Sequence, residues 1–411
     1  MKPLSFAPRA AFAIAVLGLA ARPCLAAGPP VKVIFDTDMA GDVDDVGALA
    51  ILHAMADLGE AEILAVGVSS RNEDVGPCVD AIDTWYGRPD IPIGYQRGLQ
   101  VGYPEDTGET IASKYAAAVA KSFPHRLARS SDAPDAALLY RKLLAAQPDA
   151  SVVIVSVGFL TNLRGLLDTA PDAISPEGGE DLVRRKVRLW VCMGGKFPDG
   201  RFKDGGGEYN LRIDTRAAVR ALGDWPTPVV FSGFEIGARV MTGKALRAAP
   251  ETSPTRAAYL HFNGLENRES WDQTAVLYAV RGAASYWTES EPGLALMHAG
   301  RRFAYNEWIP TPRKAHRYLI EKMPPSEVAR VIEDLMMRAP ARAQPPQLTP
   351  EVKSRDRGHR RTVLRRRPSL NPGRTLTGAE TEFDHGSCDA SNRRGGRRSR
   401  SLAHGPEHLR R

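Results

Sequence analysis

Cysteine is scarce in this chain. Of the four in 411 residues, Cys24 falls in the N-terminal leader and only Cys78, Cys192 and Cys388 lie beyond it. Three thiols cannot frame a domain of this length, so the core must hold together by burial. A Cys78–Cys192 bridge is open to an exported protein, but Cys192 stands in an apolar run, where a buried free thiol is the simpler reading. Long apolar runs are missing too. The N-terminal run, Ala10–Ala21, falls short of the roughly 20 residues that cross a bilayer, so no membrane span is expected. Positive charge is missing from the body of the chain. The net charge is +7, yet residues 341–411 hold 17 Lys/Arg against 7 Asp/Glu, a surplus of ten, which leaves −3 for residues 1–340. Without Lys2, Arg9 and Arg22 the mature region stands near −6 and gives no electrostatic case for nucleic acid.

Residues 1–26 have the layout of a secretory signal peptide: Lys2 and Arg9, the apolar run, then Cys24-Leu25-Ala26 before Ala27-Gly28. The mature protein is therefore expected to be exported, either periplasmic or secreted. Residues 28–340 read as one main domain. Residues 341–411 are rich in Pro, Arg, Ser and Gly with few large apolar side chains, and such a segment cannot offset its ordering entropy. A basic, disordered tail is expected there.

Strand-like runs occupy Val31–Phe35, Glu62–Ser69, Ser151–Val157, Lys186–Met193 and Pro228–Ser232. Helical patterns lie between them, as in Ala48, Ile51, Leu52, Met55 and Leu58. Near-continuous apolar strands alternating with helices predict an α/β fold, a mostly parallel, Rossmann-like central sheet flanked by helices. Ligands of such sheets bind beyond the carboxyl ends of the strands. Asp36/Asp38, Ser69–Asn72, Gly158–Asn162, Gly194–Gly195 and Glu235 fall there.

The densest chemistry follows the first strand: Asp36, Asp38, Asp42, Asp44 and Asp45. Two carboxylates ~4 Å apart repel by roughly 4 kcal/mol at an effective dielectric of 20, so the cluster needs protons or a cation. No Cys or His stands within it, and an all-oxygen set suits Ca²⁺ or Mg²⁺ rather than Zn²⁺. A calcium helix–loop–helix beginning at Asp36 is excluded, since Ala40 and Gly47 occupy its fifth and twelfth positions. Ala40 also fits poorly with an aspartate-nucleophile phosphotransferase, and no Gly-x-Gly-x-x-Gly follows the strand. What remains is a strand delivering Asp36 and Asp38, a short loop, and Asp44/Asp45 at a helix start, where the dipole favours anions.

This arrangement resembles the nucleoside hydrolase family of the inosine–uridine-preferring type, in its secreted bacterial branch, over roughly Val31 to Ala339. Asp36-Thr37-Asp38…Asp44-Asp45 is similar to the N-terminal signature, with a loop two residues longer than the commonest form. Val66–Asn72 resembles the second strand and its ribose-contacting Asn. Val157-Gly-Phe-Leu-Thr-Asn-Leu163 resembles the Gly-x-Leu-Thr-Asn-Leu turn. Met193-Gly194-Gly195 and Glu208-Tyr209-Asn210 look like the Met-Gly-Gly and Glu-Phe-Asn elements, and Asp272 like the last metal-binding Asp.

The resemblance implies the nucleoside hydrolase fold and a Ca²⁺ held by Asp38, Asp45, the carbonyl of Val157 and Asp272. It implies that Asp38 also acts as general base on a water that the cation activates, attacking an oxocarbenium-like centre. Asp44, Asn72, Glu208 and Asn210 would grip ribose hydroxyls, with Met193 along the sugar. The expected partner is a small nucleoside or ribosyl compound; a homo-oligomer is left open. Many members carry His before the last metal-binding Asp, where it can protonate the leaving purine. Here that residue is Trp271, whose indole N–H cannot deliver a proton at neutral pH but whose ring can stack on a base.

The remaining residues have structural readings. Asp36 orients the loop, Thr161 and Asn162 form a turn, and His53 and His298 belong to a helix or the core. Glu235 either supports a site residue or is a satisfied buried acid. Asp42 competes with Asp44 for the ribose contact. Two other functions stay open: a ribosyl-binding protein without turnover, and a Mg²⁺-dependent phosphohydrolase using Asp36 and Asp38.

Overall fold

The computed structural model describes residues 28–98, 113–300 and 304–341. Its strands are β1 Val31–Thr37, β2 Ala61–Val68, β3 Ile93–Tyr95, β4 Val152–Ser156, β5 Val187–Met193, β6 Val229–Ser232, β7 Met241–Thr242, β8 Arg268–Glu269, β9 Trp287–Glu289, β10 Gly293–His298, β11 Tyr305–Pro310 and β12 His316–Glu321. The helices are α1 Asp44–Asp57, α2 Val75–Trp85, α3 Lys114–Ser122, α4 Ala136–Ala146, α5 Thr161–Leu167, α6 Gly179–Lys186, α7 Tyr209–Ile213, α8 Thr215–Asp224, α9 Phe234–Gly237, α10 Pro254–Asn263, α11 Trp271–Arg281 and α12 Pro325–Met336.

One sheet runs in the order β11-β10-β12-β6-β5-β4-β1-β2-β3, with β9 paired to β12. From β3 to β12 every neighbour is parallel; β9, β10 and β11 add antiparallel partners at one side. The α/β expectation of a mostly parallel sheet is met, and each of the five expected strands lies within two residues of its observed ends. The short antiparallel pieces were not foreseen.

Alternation along β1 explains the two helical layers. Val33 and Phe35 point into one buried cluster with residues of α1, α2, α10, α11 and α12. Ile34 points into the other, with residues of α4, α5, α6 and α8. Helix α1 is buried on nearly every side rather than along one stripe, because α11 covers the face a surface helix would show to water. Cys78 and Cys192 are both buried and free. No helix among the described residues is long and apolar enough to cross a membrane. The expected leader, and the expected tail from residue 342, lie outside the described residues.

The connections position the site. The chain leaves β1 for β2 and β3 on one side, then returns to β4, β5 and β6 on the other. The crevice between diverging connections opens at the carboxyl ends of β1 and β4, where ligands of parallel sheets bind. Asp36 is level with Ser156 there, so the next residues of both strands emerge side by side.

Candidate active site

Strand β1 ends by delivering Asp38 to this crevice. The Thr37 hydroxyl closes the turn: it hydrogen-bonds the Asp45 carboxylate and accepts the N–H of Met39 at 3.0 Å. Asp44 and Asp45 occupy the first turn of α1, and Asp272 that of α11. Two positive helix ends thus face one acidic cluster. The Asp272 N–H donates to Asp44 Oδ2 at 3.2 Å, and carboxylate oxygens of Asp44, Asp45 and Asp272 lie within 4.8 Å of one another. From β4, the Val157 N–H donates to the Asp36 carbonyl at 2.7 Å. The next residue, Gly158, packs so closely that a Cβ would stand 2.4 Å from Asp38 N.

The far wall comes from β5 and α7. Glu208 caps α7, accepting the N–H groups of Asn210 at 2.8 Å and Leu211 at 3.2 Å, and that of Gly195 at 2.9 Å. Asn210 donates its Nδ2 to the carbonyls of Val157 at 2.9 Å and Met193 at 3.2 Å, tying β4, β5 and α7 together. These elements enclose a cavity of about 620 Å³. Asp38, Asp44, Asp45, Val157, Met193, Glu208, Asn210, Trp271 and Asp272 all line it.

One expected site residue is placed elsewhere. Asn72 lies off the cavity wall, buried, with Oδ1 accepting the Asp74 N–H at 2.9 Å. The tight acid triad also includes Asp44, which the sequence assigns to the sugar, while Asp38 stands on the wall beside it. Asp36 sits behind the cavity, where its Oδ2 accepts from Tyr140 Oη at 2.5 Å and Asn162 Nδ2 at 2.8 Å. Its orienting role is therefore met by side chains of α4 and α5 rather than by loop backbone. Burial pushes the Asp36 carboxyl up to about 7. His53 is buried against Asp83 and His298 pairs with Glu307, so neither faces the cavity.

Burial first, then mutual repulsion, holds the Asp38, Asp44, Asp45 and Asp272 carboxyls well above the usual range. Such a group of buried acids demands neutralisation. Arg268 is close, but its guanidinium forks onto Asp42 through Nε at 2.9 and 3.0 Å and reaches Glu269 through Nη1 at 2.8 Å. Its charge therefore goes mainly to Asp42 and Glu269, and it only partly offsets the rise at Asp44. An all-oxygen, net-negative donor set of this kind fits a hard divalent cation.

The cavity also has an aromatic lining. Phe202, Tyr209, Phe234 and Trp271 line it, and Phe202 meets Phe234 edge-on at 4.7 Å. The Trp271 indole N–H donates to the Phe234 carbonyl at 2.9 Å, which fixes the ring and commits its donor. The Arg268 guanidinium lies 5.1 Å from the Trp271 ring centre. Arg268, Phe202 and Phe234 escaped the sequence analysis. Arg268 sits in a two-residue strand with no motif around it, and only the folded chain brings it 226 residues back to Asp42.

A family model described as inosine-uridine preferring nucleoside hydrolase matches residues 33–321. The chain belongs to this family. Its members are N-glycosyl hydrolases. The inosine-uridine preferring nucleoside hydrolase from Bacillus anthracis is 16% identical, over 75% of this chain and 99% of that one, with a TM-score of 0.56. The purine-preferring ribonucleoside hydrolase from Gardnerella vaginalis is 17% identical, over 75% and 98%, with a TM-score of 0.55. The type III effector protein XopQ, solved with adenosine diphosphate ribose, is 17% identical over 76% and 93%, with a TM-score of 0.52. At such identities these likenesses establish the nucleoside hydrolase fold alone. No curated protein sequence matches the chain.

Proposed function

We propose that this nucleoside hydrolase family member cleaves the N-glycosidic bond of a ribonucleoside or a similar ribosyl compound, using a divalent cation that its oxygen donors suit as Ca²⁺. The observation that carries this reading is one cavity lined both by a buried aspartate cluster and by aromatic side chains. Asp38, Asp45, Asp272 and the Val157 carbonyl would hold the cation, with Asp44 as a further ligand or a ribose contact. When bound, it would neutralise the acids, bind neighbouring sugar hydroxyls and acidify a water.

Asp38 is the half-buried acid of the cluster, and its carboxyl faces the cavity. It accepts the proton of the attacking water as that water adds to the anomeric carbon. Glu208 and Asn210, fixed by their backbone bonds, present oxygens to ribose hydroxyls, and Met193 packs along the ring. Binding at these non-reacting groups contributes to distortion at the reacting one. Trp271 and Phe234 offer flat faces to the base. No proton reaches the leaving group from Trp271, whose N–H is committed. That commitment favours a second reading, a ribosyl-binding protein without turnover, and the XopQ complex with adenosine diphosphate ribose is in keeping with it.

A panel of ribonucleosides, incubated with and without a chelator and scored for free ribose, separates the two. Chelator-sensitive ribose release supports hydrolysis; tight, cation-dependent binding with intact nucleoside supports the second reading. Release of phosphate from phosphate esters would overturn both. Export is proposed from residues 1–26 alone and is tested by N-terminal sequencing of the protein recovered outside the cytoplasm.

A further inference from the structure

Beneath the acid cluster, helices α1 and α11 cross at Gly47, two residues after Asp45. A Cβ at this position would stand 2.4 Å from Gln273 Nε2 and 2.6 Å from Tyr259 Oη. Both partners are fully buried, and Gln273 Nε2 donates to Tyr259 Oη at 3.1 Å. Gln273 immediately follows Asp272 in the first turn of α11, and Tyr259 comes from α10. Gln273 Oε1 is buried with no partner. A core glutamine with an unsatisfied oxygen costs stability, and an apolar residue of that size would fill the same space without the penalty. Tyr259 stays a neutral phenol there, pushed up by burial and then by the charges of Asp44, Asp42 and Asp272, so it adds no charge to the cluster.

We infer that Gly47, Gln273 and Tyr259 are positioning residues, a packed contact that sets the separation of the helix ends carrying Asp44/Asp45 and Asp272 and thereby the cation affinity of the site. The inference rests on the cation reading given above. Helix ends set the triad because each acid lies within one turn of the crossing. A methyl inserted at position 47 has to move buried groups on two other helices. Supporting contacts of this kind typically change metal affinity by 10–100-fold.

The test is a calorimetric titration of Ca²⁺ into chelator-stripped full-length protein. Gly47→Ala should weaken Ca²⁺ binding roughly tenfold or more. Adding Gln273→Ala and Tyr259→Phe, which removes the atoms the new methyl would meet, should recover part of that loss. Gly223→Ala, in α8 with nothing within 4 Å of its Cβ, serves as the control and should bind as the parent does. Should Gly47→Ala fail to fold, Gln273→Ala alone leaves no clash and should still weaken binding several-fold. Parent-like affinity in Gly47→Ala, or in Gln273→Ala, overturns the inference, as does a combined variant no better than Gly47→Ala. A parent protein that takes up no divalent cation overturns the cation reading itself, a result distinguishable because it precedes any variant.

Discussion

Asp38 and Trp271 both line the cavity and differ in chemistry, so each can be tested alone. If Asp38 takes up the water's proton as proposed, removing its carboxylate should cost roughly 10²–10⁴ in rate. Asp38→Ala is therefore expected to abolish detectable ribose release in a reducing-sugar assay; retained turnover would reject the assigned base. Trp271 carries no transferable proton, so its value lies in its face. Trp271→Ala should weaken base binding by roughly 1–3 kcal/mol while leaving Ca²⁺ affinity intact. Equal loss of both in calorimetry argues against stacking. Asp42 also lines the cavity. Arg268 forks onto it, while Asp44 joins the triad.

The turn from β6 into α9 brings Phe234 to the cavity wall. Glu235, in that four-residue helix, accepts the Phe197 N–H at 3.0 Å through Oε2 and leaves Oε1 buried without a partner. Burial pushes its carboxyl up to about 7 from 4.5. A raised acid favours the folded state fully below its unfolded value and loses that contribution as pH rises through the folded one. Wild-type stability should accordingly fall between about pH 5 and pH 8, by at most about 3 kcal/mol from this group. Glu235→Gln keeps the acceptor and removes the titration. Its melting temperature should match wild type at pH 5 and exceed it at pH 8.5; identical pH profiles would show that the acid is charged at no cost. The sequence had left Glu235 between a supporting role and a satisfied buried acid; in the fold Oε2 is bonded and Oε1 is not.

For the whole molecule, the acid cluster couples cation binding to folding. The β1–α1 segment, the β4 turn and α11 are far apart in sequence, and an unfolded chain cannot present them together. A ligand that binds the native state alone stabilises it by about 2.7 kcal/mol at a hundred times its Kd. Thermal unfolding with excess Ca²⁺ should thus occur several degrees above unfolding in chelator, and Asp272→Ala should erase the difference. A melting temperature indifferent to the chelator in wild type would contradict a bound cation.

Much of this was legible before folding, for a definite reason. Parallel strands buried on both faces must be near-continuously apolar, so all five expected strands stand out, and the residues that follow them must be where ligands bind. Acids crowded within ten residues have few uses other than holding a cation. Local order therefore determined the α/β architecture and the carboxyl-end site, while the wall residues came from the family resemblance, and nine of those ten line the cavity. Proximity across the chain was decided only by the tertiary structure. It drew Asp44 into the triad with Asp272, paired Arg268 with Asp42, committed the Trp271 donor to Phe234, and set Gln273 against Gly47. Each of these depends on where two distant segments cross, and a linear pattern of side chains carries no distance between segments it does not join.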